Sequence, residues 1–253
     1  MENYYVNLIY MDNIVLILAG GLGKRMNSEL PKVLHLLKNK PLIVHVIESA
    51  LKINPTKIGI IVGKYSEIIE KTVNKYITDT SKIEYIVQIE PLGTGHAIMC
   101  CKDFLSNYKK SSVTILSGDV PLIKSNTLER LNNTLNKKDA SILVNKLENP
   151  HGYGRIITDG EQFIKIVEEK DCDEEERKVD LVNSGIYCVT CNAILNNIDK
   201  ITNNNKQKEY YLTDLFNYID RDNIELVYLE NMYEVMGVNT PEQLKELENA
   251  DSF

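Results

Sequence analysis

Ile14-Val15-Leu16-Ile17-Leu18-Ala19-Gly20-Gly21-Leu22-Gly23-Lys24-Arg25-Met26 is the stretch that decides how this chain folds. Five apolar residues in succession leave no polar face, the mark of a strand covered on both sides. The run then opens into glycines, where backbone N–H groups can approach an anion with no Cβ between them. Two familiar phosphate-binding templates do not fit. The dinucleotide fingerprint requires Gly at position 26, which is Met. The P-loop requires Gly at 18 and Ser or Thr at 25, which are Leu and Arg. What the stretch does carry is Arg25, with Pro31-Lys32 following seven residues beyond Lys24. A guanidinium and an ammonium beside a glycine turn suit a polyphosphate whose charge must be spread during phosphoryl or nucleotidyl transfer.

Outward from this turn the chain alternates strands and helices. A helix is expected over 41–52, a buried strand over 58–62, a helix over 65–76 and a strand over 83–88. A helix over 94–107 and a strand over 113–116 follow. This rhythm predicts an α/β fold with a mixed, mainly parallel sheet and helices on both faces. Beyond it, strands are expected over 140–146, 155–168 (a hairpin turning at Asp159-Gly160), 180–189, 224–229 and 233–238, with helices over 211–220 and 241–249. No internal repeat or Pro/Gly/Ser-rich linker interrupts the sequence. The expected organisation is therefore one domain over 1–253, with a nucleotide-binding half at about 12–125 and a substrate-binding half at about 126–253.

Composition narrows the function classes. The chain has 253 residues, 43% hydrophobic and 26% charged, with a net charge of −7. That acidity argues against a nucleic-acid binder, which needs a basic face for phosphates. No apolar run approaches the ~20 residues of a membrane span, and the start, Met1-Glu2-Asn3, does not read as a signal peptide. Five cysteines suggest a reducing, cytoplasmic setting. Cys188-Val189-Thr190-Cys191 has no second pair and reads as packing thiols. The four histidines show no metal-ligand spacing. Only five arginines occur, which makes Arg25 the more pointed.

Asp119, in Ser117-Gly118-Asp119-Val120-Pro121-Leu122, lies just past a buried strand. In open parallel sheets ligands collect at the carboxyl ends of strands, so Asp119 is expected at the same edge as the glycine turn. One carboxylate together with substrate phosphates is a usual way to hold Mg²⁺. Local spacing names no second metal ligand. Asn239 follows the last expected strand and reads equally as part of a helix cap.

Several further segments occur in a fixed order: L-P-K-V-L-H at 30–35, P-L-G-T-G-H-A at 91–97, H-G-Y-G-R-I at 151–156, I-V-E-E-K-D at 166–171, V-N-S-G-I-Y at 182–187, E-Y-Y-L-T-D at 209–214 and E-V-M-G-V-N at 234–239. With the glycine turn and S-G-D-V-P-L, they give a chain that resembles the uridylyltransferase domain of bacterial N-acetylglucosamine-1-phosphate uridylyltransferases, from about Ile14 to Leu247. The resemblance implies a sugar nucleotidyltransferase fold with a small sugar-binding β part. It implies UTP and a hexosamine-1-phosphate, N-acetylglucosamine-1-phosphate, as substrates, with Mg²⁺ as cofactor. It assigns Arg25 and Lys32 to the phosphates, and Leu18, Ala19, Gly20, Gly21, Gly23, Gln88, Gly93 and Thr94 to the nucleotide, Gln88 and Gly93 holding uracil. Gly154, Glu168 and Asn183 match the sugar pocket, and Asp119 and Asn239 the metal ligands.

Two positions depart from the family pattern: Ser117 stands where Tyr is common, and Pro91 where Gln is frequent. Both bear on substrate preference rather than reaction type. The bifunctional relatives also continue into a hexapeptide-repeat β-helix that acetylates glucosamine-1-phosphate. No such repeat occurs here, so neither that activity, acetyl-CoA, nor a β-helix trimer is expected. The competing readings are transfer to another sugar phosphate or from dTTP or CTP, and a catalytically silent binding subunit.

Overall fold

The computed structural model describes residues 12–21, 23–26, 28–229 and 231–249. β1 (Asn13–Leu18) sends Ile14 and Leu16 into one core layer, and Val15 and Ile17 into the layer on the opposite face of the sheet. Both faces being covered, the sequence shows an unbroken apolar run and not an alternation. A short hairpin of β2 (Leu36–Leu37) and β3 (Lys40–Pro41) leads to α1 (Leu42–Lys52), β4 (Lys57–Val62) and α2 (Ser66–Tyr76). β5 (Ile83–Val87), α3 (Thr94–Met99), α4 (Lys102–Ser106) and β6 (Ser112–Ser117) follow. β1 pairs in parallel with β4 and β6, and β4 with β5, so four strands bring their carboxyl ends to one edge.

α5 (Ser125–Thr134) and β7 (Ala140–Lys146) come next, then the hairpin β8 (Arg155–Asp159) and β9 (Gln162–Val167). β10 (Leu181–Thr190), α6 (Cys191–Asn197), β11 (Ile224–Tyr228) and α7 (Pro241–Asn249) complete the described chain. The sheet order is β11-β7-β10-β6-β1-β4-β5, with β8 and β9 attached through β10. β10 runs antiparallel to both β6 and β7, while β11 is parallel to β7. It is therefore the amino-terminal part of β10, carrying Asn183, that reaches the edge where β6 leads into Asp119. The β10–β7 register shifts between Asn183 and Tyr187, and Gly185 there has φ +77°. A bulge of this kind re-aims side chains beside a site.

Three expected elements differ from the structure. The helix expected over 94–107 is two helices. The Cys101 amide bonds the Ile98 carbonyl, tightening the turn, and its thiol takes up the Ala97 carbonyl at 3.3 Å. The helix expected over 211–220 is a 3₁₀ helix, Leu212–Tyr218, in which Leu212, Thr213, Leu215 and Phe216 are buried; their three-residue spacing is the 3₁₀ period. The strand expected over 233–238 is absent, replaced by a 3₁₀ turn, Met232–Val235. Tyr233 and Met236 share one cluster while Val235 enters another, so the apolar residues do not alternate between two sheet faces. Helices α5 and α6 were not expected from the sequence; α5 buries only Thr127, Leu128 and Leu131. Cys188 and Cys191 pack in opposite core layers, as free thiols.

Candidate active site

The glycine turn is shaped by close backbone approach. A Cβ on Gly63 would stand 3.1 Å from the Gly20 carbonyl, so the loops after β1 and β4 nearly touch. Gly23 has φ +59°, and a Cβ there would lie 2.7 Å from the Lys32 Cβ. Glycine at 23 thus lets the turn lie directly against Lys32. Arg25 follows on a single 3₁₀ turn, Lys24–Met26, and Lys32 opens another, Lys32–Leu34. Met26 is buried in a small cluster with Leu37, Leu42, Val238 and Leu247. That cluster fastens the glycine turn to the segment that carries Asn239.

Asp119 is 6% exposed, and its backbone carbonyl accepts from the Val238 amide at 2.9 Å, which brings Asn239 beside it. Lys32 Nζ ion-pairs with Asp119 Oδ2 and donates to Asn239 Oδ1 at 2.9 Å. Arg25 Nη2 donates to the same Asn239 oxygen at 3.1 Å, and Ser117 Oγ donates to Asp119 Oδ1 at 2.5 Å. The four residues singled out for phosphate and metal binding therefore meet at one point. A carboxylate and an amide oxygen already converge on a single cation, the Lys32 ammonium. Hard oxygen donors of this kind fit Mg²⁺, which takes few protein ligands and keeps water or phosphate oxygens for the rest. Among the described residues no group of three or more His, Cys, Asp or Glu side chains forms a metal cage.

Two cavities and a cleft surround this point. A cavity of about 460 Å³ is walled by the Leu18–Gly21 turn, Gln88, the Gly93-Thr94 segment and Asp119. A second, of about 270 Å³, is lined by Gly154, Glu168, Asn183 and Tyr187, with Asp119 and Asn239 at its mouth. A larger cleft of about 1210 Å³ contains Gly23, Arg25, Lys32 and Asn239. Asp119 borders both cavities, Lys32 the first cavity and the cleft, and Asn239 the second cavity and the cleft.

In the larger cavity Gln88 directly follows β5, buried, with its Nε2 donating to the Gly93 carbonyl at 3.1 Å. Gly93 has φ +115°, and a Cβ would lie 2.5 Å from the Tyr210 carbonyl. Tyr210 holds this segment by donating to Leu92 O at 2.8 Å and accepting from the Gly95 amide at 2.7 Å. Thr94 Oγ1 accepts from the Leu212 amide at 3.0 Å, so its hydroxyl buttresses the wall of the cavity. In the smaller cavity Asn183 Nδ2 donates to the Tyr187 hydroxyl at 2.7 Å, and its Oδ1 accepts from the Gly185 amide at 3.1 Å. Glu168 Oε1 accepts from the Thr213 hydroxyl at 2.9 Å. Burial pushes the Glu168 carboxyl above its ordinary range against the pull of that hydroxyl, and Asp214, Asp171 and Glu209 nearby push it the same way.

Every site residue expected from the sequence borders one of these three spaces. Sequence reasoning passed over Thr213, Tyr187 and the Ser117 hydroxyl as contributors. Thr213 and Tyr187 lie inside quoted segments, but their roles depend on partners brought up by other elements. No local spacing signals such contacts.

The nucleotidyl transferase family pattern matches residues 14–235, which includes the glycine turn, Lys32, Asp119, Glu168 and Asn183. The chain belongs to the nucleotidyl transferase family. A protein of Acanthamoeba polyphaga mimivirus named "Probable UDP-N-acetylglucosamine pyrophosphorylase" is 42% identical over 243 residues, covering 93% of this chain and 94% of that protein. The bifunctional protein GlmU of Clostridium perfringens is 40% identical over 242 residues, 94% of this chain but 52% of its own length. The GlmU of Thermosipho melanesiensis is 44% identical over 235 residues, 92% of this chain and 49% of that protein. The chain thus spans about half the length of these bacterial relatives. The crystal structure of a UDP-glucose pyrophosphorylase complexed with UDP-glucose superposes with a TM-score of 0.75 at 19% identity, covering 95% of this chain and 98% of that one. The mixed, mainly parallel sheet with flanking helices is accordingly the nucleotidyltransferase fold. This nucleotidyltransferase has no helix among its described residues long and apolar enough to cross a membrane.

Proposed function

We propose that this nucleotidyltransferase transfers UMP from UTP to N-acetylglucosamine-1-phosphate, with Mg²⁺ as cofactor, giving UDP-N-acetylglucosamine and pyrophosphate. One observation carries the reading: Arg25, Lys32, Asp119 and Asn239 converge where a nucleotide-sized cavity, a smaller cavity and a larger cleft meet. The name of the mimivirus relative supports the choice of sugar.

A sugar-1-phosphate oxygen is already anionic, so no base is needed to activate it. It attacks the α-phosphorus in line, the bond to pyrophosphate breaks, and no covalent enzyme intermediate forms. The protein's contribution is positioning and charge neutralisation. Lys32, at the junction of cavity and cleft, steadies charge on the α-phosphate. Arg25, in the larger cleft, faces the leaving pyrophosphate. Asp119 and Asn239 would hold Mg²⁺, which supplies charge neutralisation at the phosphate oxygens when bound. Gln88 addresses the base, and Glu168 and Asn183 the sugar hydroxyls and acetamide.

Pyrophosphate release from UTP with N-acetylglucosamine-1-phosphate and Mg²⁺ tests the reading, with CTP, dTTP and glucose-1-phosphate run beside them. The expected result is release that depends on both substrates and on the metal, with UDP-N-acetylglucosamine formed in equal amount. Release only with another nucleotide or another sugar phosphate would overturn the substrate assignment. No release with any pair would favour a silent binding subunit.

A further inference from the structure

Gln88 has both amide hydrogens committed inside the protein. Its Nε2 lies 3.1 Å from the Gly93 carbonyl and 3.1 Å from His96 Nδ1. A carbonyl can only accept, so the amide atom facing Gly93 is the nitrogen. Reversing the amide would set two oxygens against each other. The second hydrogen then goes to His96 Nδ1, which must be unprotonated to accept it, leaving the ring proton on Nε2. Gln88 Oε1 accepts no hydrogen bond from the described residues. It is turned toward the glycine loop, where a Cβ on Gly20 would come within 3.1 Å of it, in the wall of the larger cavity. Gln88 is only 6% exposed, so solvent does little to average its orientation.

We propose that His96 is a positioning residue for base selection. By accepting from Gln88 Nε2 it keeps Oε1, a pure acceptor, presented to the base. This inference rests on the uridylyl-transfer reading above and deepens it. The imide edge of uracil carries N3–H, a donor that matches Oε1. Cytosine has an unprotonated N3 at that place, so two acceptors would meet. A buried polar group left facing its own kind loses more than a made hydrogen bond gains, which is how such a site discriminates. Without His96 only the Gly93 carbonyl restrains the amide, and Gln88 can rotate to offer Nε2 to cytosine. Thymine shares the imide edge with uracil, so His96 acts against cytosine alone.

The test is equilibrium binding of UTP and CTP to the full chain, without sugar phosphate, for the wild type and two variants. His96→Phe keeps a ring and removes the acceptor; His96→Asn replaces Nδ1 with an oxygen that can accept. For His96→Phe the UTP-to-CTP affinity ratio is expected to fall about tenfold, the scale of one buried hydrogen bond. His96→Asn is expected to keep most of the ratio. A merely structural role would weaken both nucleotides alike; an unchanged ratio in folded His96→Phe would overturn the proposal. So would a folded His96→Asn that discriminates no better than His96→Phe. The ¹⁵N shifts of the wild-type imidazole give a reading that needs no variant: the Nε2–H tautomer is expected, and Nδ1–H would overturn the assignment. Because binding is read without turnover, a chain that prefers UTP yet transfers to no sugar phosphate would fail the proposed function and leave the role of His96 supported.

Discussion

Lys32 Nζ stands 2.9 Å from Asn239 Oδ1, although the two residues are 207 positions apart in the chain. The same ammonium pairs with Asp119, so it occupies the point at which the two proposed metal ligands converge. Asp119 and Asn239 are the residues that would hold a divalent cation, which would compete with the Lys32 ammonium for their oxygens.

Replacing Lys32 with Met should therefore have two opposite effects. Turnover should fall by roughly 10²–10³, the scale for losing one charge-stabilising donor. Mn²⁺ binding in the absence of nucleotide, followed by electron paramagnetic resonance, should become tighter because the competing cation is gone. Turnover near the wild-type value would remove Lys32 from the chemistry.

Asp119→Ala removes the carboxylate that meets Lys32 beside Asn239. Pyrophosphate release titrated with Mg²⁺ should lose its metal-dependent component. The Lys32 ammonium, left without its ion-pair partner, should also lose its fixed position. An unchanged Mg²⁺ titration would move the metal to other residues.

Gly93→Ala places a methyl group where the backbone has φ +115° and where a Cβ would lie 2.5 Å from the Tyr210 carbonyl. Strain at such a position costs about 1–3 kcal/mol, and the contact adds to it. Urea unfolding should report that loss of stability. Because the Gly93 carbonyl restrains Gln88, KM for UTP should rise more than KM for the sugar phosphate.

Arg155 is 2% exposed, with Nη1 2.7 Å from Glu169 Oε2 and also donating to the Tyr153 carbonyl. It ties the Gly152–Gly154 loop to the segment just past Glu168, two walls of the smaller cavity. Arg155→Met should cost roughly 1–2 kcal/mol of stability, since it removes the guanidinium's charge-assisted contact with the partly exposed Glu169 carboxylate and its hydrogen bond to the Tyr153 carbonyl. Steady-state kinetics should show a raised KM for the sugar phosphate with UTP affinity little changed.

What could be read in advance, and what could not, follows from where each signal resides. β1 and the glycine turn were legible because a strand buried on both faces and a turn that approaches an anion each constrain consecutive residues. Asp119 was legible as a strand-end carboxylate, since sheet topology alone carries it to the ligand edge. Asn239 was ambiguous by local reading because its partner is Lys32, brought up by tertiary packing around Met26 and Val238. The 3₁₀ turn at Met232–Val235 was missed for a related reason. Glu234 there is buried, accepting from the Thr127 hydroxyl at 2.6 Å, with the Asn231 side chain capping the turn. Those contacts outweigh a strand-like sequence. His96 carried no signal at all: its meaning is a hydrogen bond to Gln88, and one sequence does not reveal which tautomer a ring adopts.

Glu168 provides the clearest conflict between stability and function. Burial raises its carboxyl above the ordinary range, opposed by the Thr213 hydroxyl and reinforced by Asp214, Asp171 and Glu209. A carboxyl whose folded pKa exceeds its unfolded value favours the folded state most below the unfolded pKa. That favourable contribution is lost as pH rises through the folded pKa, because the unfolded chain releases its proton more readily. Glu168→Gln abolishes the titration. The variant should melt at a higher temperature than the wild type near neutral pH, and the difference should shrink as pH falls below the ordinary Glu value of about 4.3. The ionised carboxylate is also the stronger acceptor for sugar hydroxyls, so KM for the sugar phosphate should rise on the order of tenfold in the variant. Equal melting temperatures across that pH range would show that Glu168 is not held in a costly state. An unchanged KM would remove it from sugar recognition.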